Sequence, residues 1–254
     1  MVRDRIKYVP GTYAVKKSNP SEIAGRYIWE WEQKRSKMPK EKPRQEMPPA
    51  ICFSREIGVG ALEVADILAK KTGFHVHDKS ILSYIAQEAN IREQTVAIFD
   101  EIYPGKTNEI LWYLVSEKAF TKSDYARHLF HVVVSLSFLG AAIFVGRGAY
   151  LILPRERILA IRFISGRVHR IRRLAGIMHI SAEEAGQEIS RIDKEQRDFY
   201  KKIFKKKDIS PYEFDLVVNF DHIPDPHWAS EIVATAFSNK FGNEVEFRAP
   251  DSEG

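Results

Sequence analysis

Apolar positions from residue 50 onward alternate between short continuous runs and stripes at helical spacing. Ala50-Ile51-Cys52-Phe53-Ser54 reads as a buried strand over residues 50–54, because nearly every position is apolar on both faces. Val64, Ile67, Leu68 and Lys71 then recur at helical intervals, so a helix is predicted over 61–71, with Gly73 ending it. A second short strand follows at 74–77, and Asp78 caps a helix running to about Glu88. Another helix starts at Asn90, where Glu93 has capping-box spacing, and helical material continues through 109–116 and 124–139. Strands return at 141–145, 158–164 and 216–220, with helices from about Arg167, from Ser181 and from His227. Ser181 and Glu184 form a capping box that places the second of these starts. Such alternation predicts an α/β fold, with helices covering both faces of a parallel sheet.

One stretch imitates a membrane span. Residues 131–145 are almost wholly apolar, but a span needs about 20 such residues, and Gly146-Arg147-Gly148 interrupts this one with a charge. A buried helix ending near Gly140, followed by a central strand, accounts for it.

Ahead of the first strand the pattern changes. Ile23, Tyr27 and Trp31 lie four apart in a helical segment over 20–38, and two prolines and four charges within 37–43 then break it. Residues 1–48 carry 12 Lys and Arg against 6 Asp and Glu, leaving 27 against 28 for the rest, so the net charge of +5 belongs to this extension. The chain therefore divides into a basic extension and linker at 1–48, a domain at 49–242 and a tail at 243–254. Docking on the domain or contact between two copies is the commoner use of such an extension. Disorder and nucleic-acid contact through its basic and aromatic residues are the alternatives. The single cysteine, Cys52, sits inside the first strand, which excludes an internal disulfide and agrees with a reducing compartment. With no apolar leader after Arg3, Arg5 and Lys7, the cytoplasm is the expected location and a membrane is not a partner.

The candidate chemistry begins where the first strand meets Gly58-Val59-Gly60 and a helix opens at once. Glycines there let the main chain approach an anion, and a helix start offers unpaired N–H groups and a positive dipole end. A full phosphate loop reads GxxxxGK[ST], whereas this chain continues Ala61-Leu62-Glu63 and lacks both the lysine and the hydroxyl. Arg147 follows the 141–145 strand between two glycines, at the strand end where open parallel sheets bind ligands; a surface arginine in a turn is the alternative. Asp78 is either a helix cap or a ligand group, and Lys79, a cation opposing the helix dipole, is harder to explain as structure. Arg167, Arg170, Arg172 and Arg173, then Arg191, Lys194 and Arg197, form two cationic helices, with Asp193 and Arg197 spaced as an ion pair. His128 with His131, and His75 with His77, read as structural histidines.

Four segments share an order and spacing with one family. They are Ser54-Arg55-Glu56 ahead of the glycines, His77-Asp78-Lys79-Ser80-Ile81-Leu82, Val145-Gly146-Arg147-Gly148-Ala149, and the helix from Arg191 through Asp193-Lys194 to Tyr200. The series resembles the cytidylate-kinase-like family of P-loop nucleoside monophosphate kinases over about residues 49–241. Members usually show SREYGSGGREIA, [YH]DKEII, VGRGA and D-K-x-R-x-x-x-Y. Here Ala61 and Leu62 replace the GR of the first, and Gln196 replaces the arginine of the last.

The resemblance implies a three-layer P-loop NTPase-like fold with a five-stranded parallel sheet, here preceded by a helical extension. It implies transfer of the ATP γ-phosphate to CMP or dCMP, with ATP and Mg2+ as cofactors. Ser54, Arg55, Gly58, Gly60, Ala61 and Leu62 would cradle the donor, and Asp78, Lys79, Arg147 and Arg173 would hold the acceptor. Arg147, Arg170, Arg191 and Arg197 would offset charge in the transition state, and no protein ligand to the metal is singled out. The altered loop supports a competing reading, a nucleotide-binding module that acts as sensor or partner subunit without turnover. If position 62 faces the phosphates, Leu62→Arg restores the missing cation; if Leu62 packs on the sheet, Arg55 or Lys79 supplies that charge instead. A polyanion-binding protein built around the basic extension is a third reading.

Overall fold

The computed structural model describes residues 47–79 and 124–242, together with Glu22, Gly25, Arg26, Trp29, Gln33, Leu82, Ser83 and Ile85. The elements expected over 90–116 and the tail at 243–254 lie outside the described residues, as does nearly all of the extension, in which Trp29 is helical and exposed.

Five strands, all parallel, are ordered β2-β3-β1-β4-β5. They are β1 (Ala50–Arg55), β2 (His75–His77), β3 (Ala142–Val145), β4 (Ile158–Ile164) and β5 (Leu216–Asn219). The helices among the described residues are α1 (Ala61–Thr72), α2 (Asp124–Leu139), α3 (Ala149–Ile152), α4 (Arg167–Met178), α5 (Ala182–Phe204) and α6 (Pro226–Phe241). Lys79, Leu82, Ser83 and Ile85 are also helical, and the Leu82 N–H donates to the Asp78 carbonyl at 3.1 Å.

Strand alternation sorts the core into two layers. Ala50, Cys52, Phe144 and Ala160 face one side and pack with α2 and α5, whereas Ile51, Phe53, Ile143, Val145 and Ile161 face the other and pack with α1 and α6. The membrane-like run resolves as expected. Most of α2 is buried against the first layer and β3 lies beside the central strand, and no helix among the described residues is long and apolar enough to cross a membrane. A third cluster joins Ile57 to Leu174, Ala185, Ile189 and Ile192, clamping the α4–α5 hairpin onto the loop after β1.

Helix ends follow local chemistry. Ser181 and Glu184 make the expected capping box, each contributing one side-chain bond at about 3 Å. Asp225 caps α6, with Pro226 in the first turn, where a missing N–H costs nothing. The short α3 and the 3-10 turns at Arg155–Arg157 and Pro211–Glu213 are additions to the expected pattern.

Candidate functional site

The cleft lies above the C-terminal ends of β1, β2 and β3, where α5 passes over the sheet. A cavity of about 390 Å3 opens there, and its charged lining is Arg55, Lys79, Arg147 and Lys202 with Glu195 and Asp198. Four cations against two carboxylates leave an excess of positive charge, the condition an anionic ligand requires.

Each cation is placed by a different element. Arg55 is the last residue of β1; it is 5% exposed, its carbonyl is held by Gln196 Nε2 at 3.0 Å, and its Nε has no hydrogen-bond partner among the described residues. Arg147 sits in a turn of three consecutive left-handed residues, with φ of 87° at Gly146, 51° at Arg147 and 71° at Gly148. Glycine is demanded at 148 for a second reason. A Cβ there would lie 2.4 Å from the Phe204 ring of α5. The turn aims the Arg147 guanidinium over the Phe199 ring at 4.6 Å, and its Nε donates to Ser83 Oγ at 2.9 Å. Lys79 opens the helix after β2. Burial, then Arg147, then Arg55 hold its ammonium below the usual lysine range, and burial does the same to Arg147. Tyr200 is buried nearby and its phenol is pushed up by that burial, against the pull of Arg162, Ser54, Arg55 and Arg147.

The glycine loop is arranged differently. Gly58 and Gly60 both adopt positive φ, at 82° and 99°, as expected of a tight turn into α1. What approaches them, however, is the protein itself. A Cβ on Gly58 would meet the Arg170 carbonyl of α4 at 3.1 Å, and one on Gly60 would meet Glu63 Oε2 at 3.0 Å and the Arg173 guanidinium at 3.4 Å. Glu63 and Arg173 form an ion pair across the mouth of α1, and Glu63 Oε2 is buried with no hydrogen-bond partner among the described residues.

Several of the expected site residues lie in the core or have partners within the protein. Ala61 and Leu62 point into the core, Leu62 being 2% exposed, so only their backbone N–H groups are available to a phosphate. Ser54 is equally buried, and its hydroxyl accepts from Arg162 Nη1 at 2.7 Å, across the β1–β4 register. Arg170 ties the loop to α5. Its Nε donates to the Ile57 carbonyl at 2.9 Å, and its other nitrogens reach Asp193 at 2.6 Å and Glu56 at 3.7 Å. Asp193 is thus paired with Arg170, not with Arg197. Arg191 is held by Glu188 and Glu195 and does not line the cavity. Arg173 stands on the loop side, away from the proposed acceptor lining. Arg197 borders a second cavity of about 240 Å3, with Arg162, Arg170, Asp193 and Lys207, on the other side of Tyr200. Asp78 does not line the main cavity, where Lys79 does.

Phe199, Gln196, Tyr200 and Lys202 also line the cavity, though the sequence did not mark them as site residues. The motif helix contained three of them. Their spacing placed them on α5, but nothing in it showed which face meets the cleft.

A parallel sheet ordered 2-3-1-4-5, with a glycine loop after its central strand and cations gathered at the strand ends, defines an α/β protein of the nucleotide-kinase type. Residues 50–222 match the cytidylate kinase-like family, which is more than half of the chain, and the protein belongs to it. A crystal structure of an uncharacterized protein from Eubacterium ventriosum shares the fold, with a TM-score of 0.59 and 16% identity over 76% of this chain and 99% of that one. Shikimate kinase from Bacteroides thetaiotaomicron also aligns, with a TM-score of 0.37 and 13% identity over 75% of this chain and 96% of its own. No curated protein matches the sequence.

Proposed function

We propose that this protein is a nucleoside monophosphate kinase that passes the γ-phosphate of ATP to CMP or dCMP. One observation carries the reading: a cavity with a cationic excess at the ends of β1, β2 and β3, into which a left-handed turn directs Arg147. Arg147 and Lys79 hold the acceptor phosphate, because both are partly withdrawn from water, where charge-assisted bonds to an anion gain strength. Phe199 fixes the Arg147 plane by stacking, which limits the rotamer freedom lost on binding. The base choice comes from the family resemblance alone.

ATP would lie along the loop, its phosphates on the first N–H groups of α1. Magnesium takes oxygen ligands and in such sites uses one or two carboxylates with the substrate's phosphates. Glu63 Oε2, buried beside Gly60 without a hydrogen-bond partner, suits it. When bound, magnesium neutralises charge on the phosphate chain. Donor binding then requires the Glu63–Arg173 pair to rearrange, since it covers Gly60.

A second reading, nucleotide binding without turnover, draws on the same loop, where Leu62 is packed in the core and Arg173 is neutralised by Glu63. A coupled ADP-release assay with ATP, magnesium and each common nucleoside monophosphate separates the two. Turnover greatest with CMP or dCMP is the expected result. Nucleotide binding by calorimetry with no ADP release would support the second reading, and absence of binding to ATP and to every monophosphate would overturn both.

A further inference from the structure

Among the described residues Arg55 has no carboxylate partner. The residue is 5% exposed and its Nε is unsatisfied among the described residues, whereas Arg170, similarly buried, has two carboxylates. Withdrawing part of a guanidinium from water without a partner is unfavourable, and buried polar groups in native folds are otherwise satisfied almost without exception. The neighbours make this burial worse, since Lys79 and Arg147 line the same cavity. Binding of an anion there would resolve the conflict.

The place of that anion follows from the backbone. Arg55 ends β1 immediately before the glycine loop, and Gln196 of α5 holds its carbonyl, so the side chain leaves from a fixed point between the loop and the Arg147 cavity. Two positions where relatives carry a cation are unavailable. Leu62 is in the core, and the Gln196 amide is committed to the Arg55 carbonyl. We infer that Arg55 supplies the cation that positions 62 and 196 lack, by binding the phosphate oxygens where donor and acceptor meet. This rests on the kinase reading of the cleft, and makes Arg55 a catalytic residue that touches the transferring group.

Arg55→Met tests it, because the substitution keeps the length of the chain and removes the charge. Without ligand the variant should melt higher than the parent, since an unpaired buried cation is gone. Inorganic tripolyphosphate should raise the parent's melting temperature and leave the variant's unchanged. In calorimetry the variant should bind a bisubstrate analogue, adenosine joined to cytidine by five phosphates, about 100-fold more weakly, with its CMP affinity within about threefold of the parent's. Arg55→Lys should recover part of the loss. A lower melting temperature in Arg55→Met with unchanged analogue affinity would make Arg55 a structural cation and overturn the inference. An equal loss for CMP and the analogue would also overturn it, confining Arg55 to the acceptor. A parent that fails to bind CMP sinks the kinase reading, while the melting and tripolyphosphate measurements still decide whether Arg55 awaits an anion.

Discussion

The two halves of the cleft treat their cations in opposite ways. On the β2–β3 side, Arg55, Lys79 and Arg147 are crowded into one cavity, and Glu195, one of only two carboxylates in its lining, is already held by Arg191. On the loop side, Arg170 is tied to Asp193 and Glu56, and Arg173 to Glu63. The first arrangement is poor for stability, since like charges are withdrawn from water together; the second spends its arginines on holding α4 and α5 to the loop. Number of arginines therefore says little about a phosphate site. What matters is whether the fold has already given each one a carboxylate, and by that measure the β2–β3 side is ready for an anion and the loop side is closed.

The comparison can be broken most forcefully at position 62. If the loop side is closed because Leu62 belongs to the core, Leu62→Arg should destabilise the fold by about 4 kcal/mol, the order expected for an uncompensated buried charge, without improving ATP binding. Chemical denaturation and ATP titration check this. A stable variant with tighter ATP binding would show that position 62 reaches the phosphates after all. On the other side, Arg147→Ala should weaken CMP binding about 100-fold, as loss of a desolvated charged donor does. Because residue 147 has a φ of 51°, Arg147→Gly serves as the control that removes the side chain without backbone strain. Equal, parent-like CMP affinity in both variants would move the acceptor site elsewhere.

The difference between the halves was only partly legible in the sequence. Periodicity located all five strands to within a residue or so, and the Ser181 capping box was read correctly, because both depend on neighbours a few positions apart. The Gly-Arg-Gly turn was legible too, since glycines flanking an arginine after a central strand mark an unusual backbone path. Partner choice was not. Arg170 and Asp193 are 23 residues apart, Arg173 and Glu63 are 110, and Ser54 and Arg162 are 108. Those pairings are set by strand order and by how the α4–α5 hairpin seats on Ile57, which no local pattern encodes. Hence Arg170 and Arg191 read as cations offered to a transition state, whereas Arg55, without a carboxylate partner among the described residues, read as one letter of a loop motif.

A smaller change should open the donor side. Glu63→Gln keeps the shape of the side chain but removes the charge that Arg173 pairs with, which leaves more of that cation's charge to an incoming phosphate. ATP affinity measured without magnesium should rise about tenfold, the size of one charge-assisted hydrogen bond. With magnesium present the gain should shrink, because the same carboxylate oxygen is the one suited to the metal. A fall in affinity under both conditions would mean that Glu63 positions the loop and does not obstruct it.

The smallest effect concerns pH and only the acceptor side. Burial, Arg147 and Arg55 all lower the Lys79 ammonium from the usual lysine range, so it loses its proton at a pH where an exposed lysine stays charged. The sign follows directly. An anion prefers the charged form, so CMP affinity is fullest below the lowered value and declines as pH rises through it, and bound phosphate in turn raises the proton affinity of Lys79. Over the alkaline arm the decline should be about threefold, the size of one partly screened charge contact. It should disappear in Lys79→Arg, whose guanidinium keeps its proton throughout. ATP titrations of the loop side should lack this arm, because Lys79 follows β2 and lines the other half of the cleft. An alkaline decline that persists unchanged in Lys79→Arg would assign the titration to another group and remove Lys79 from the phosphate site.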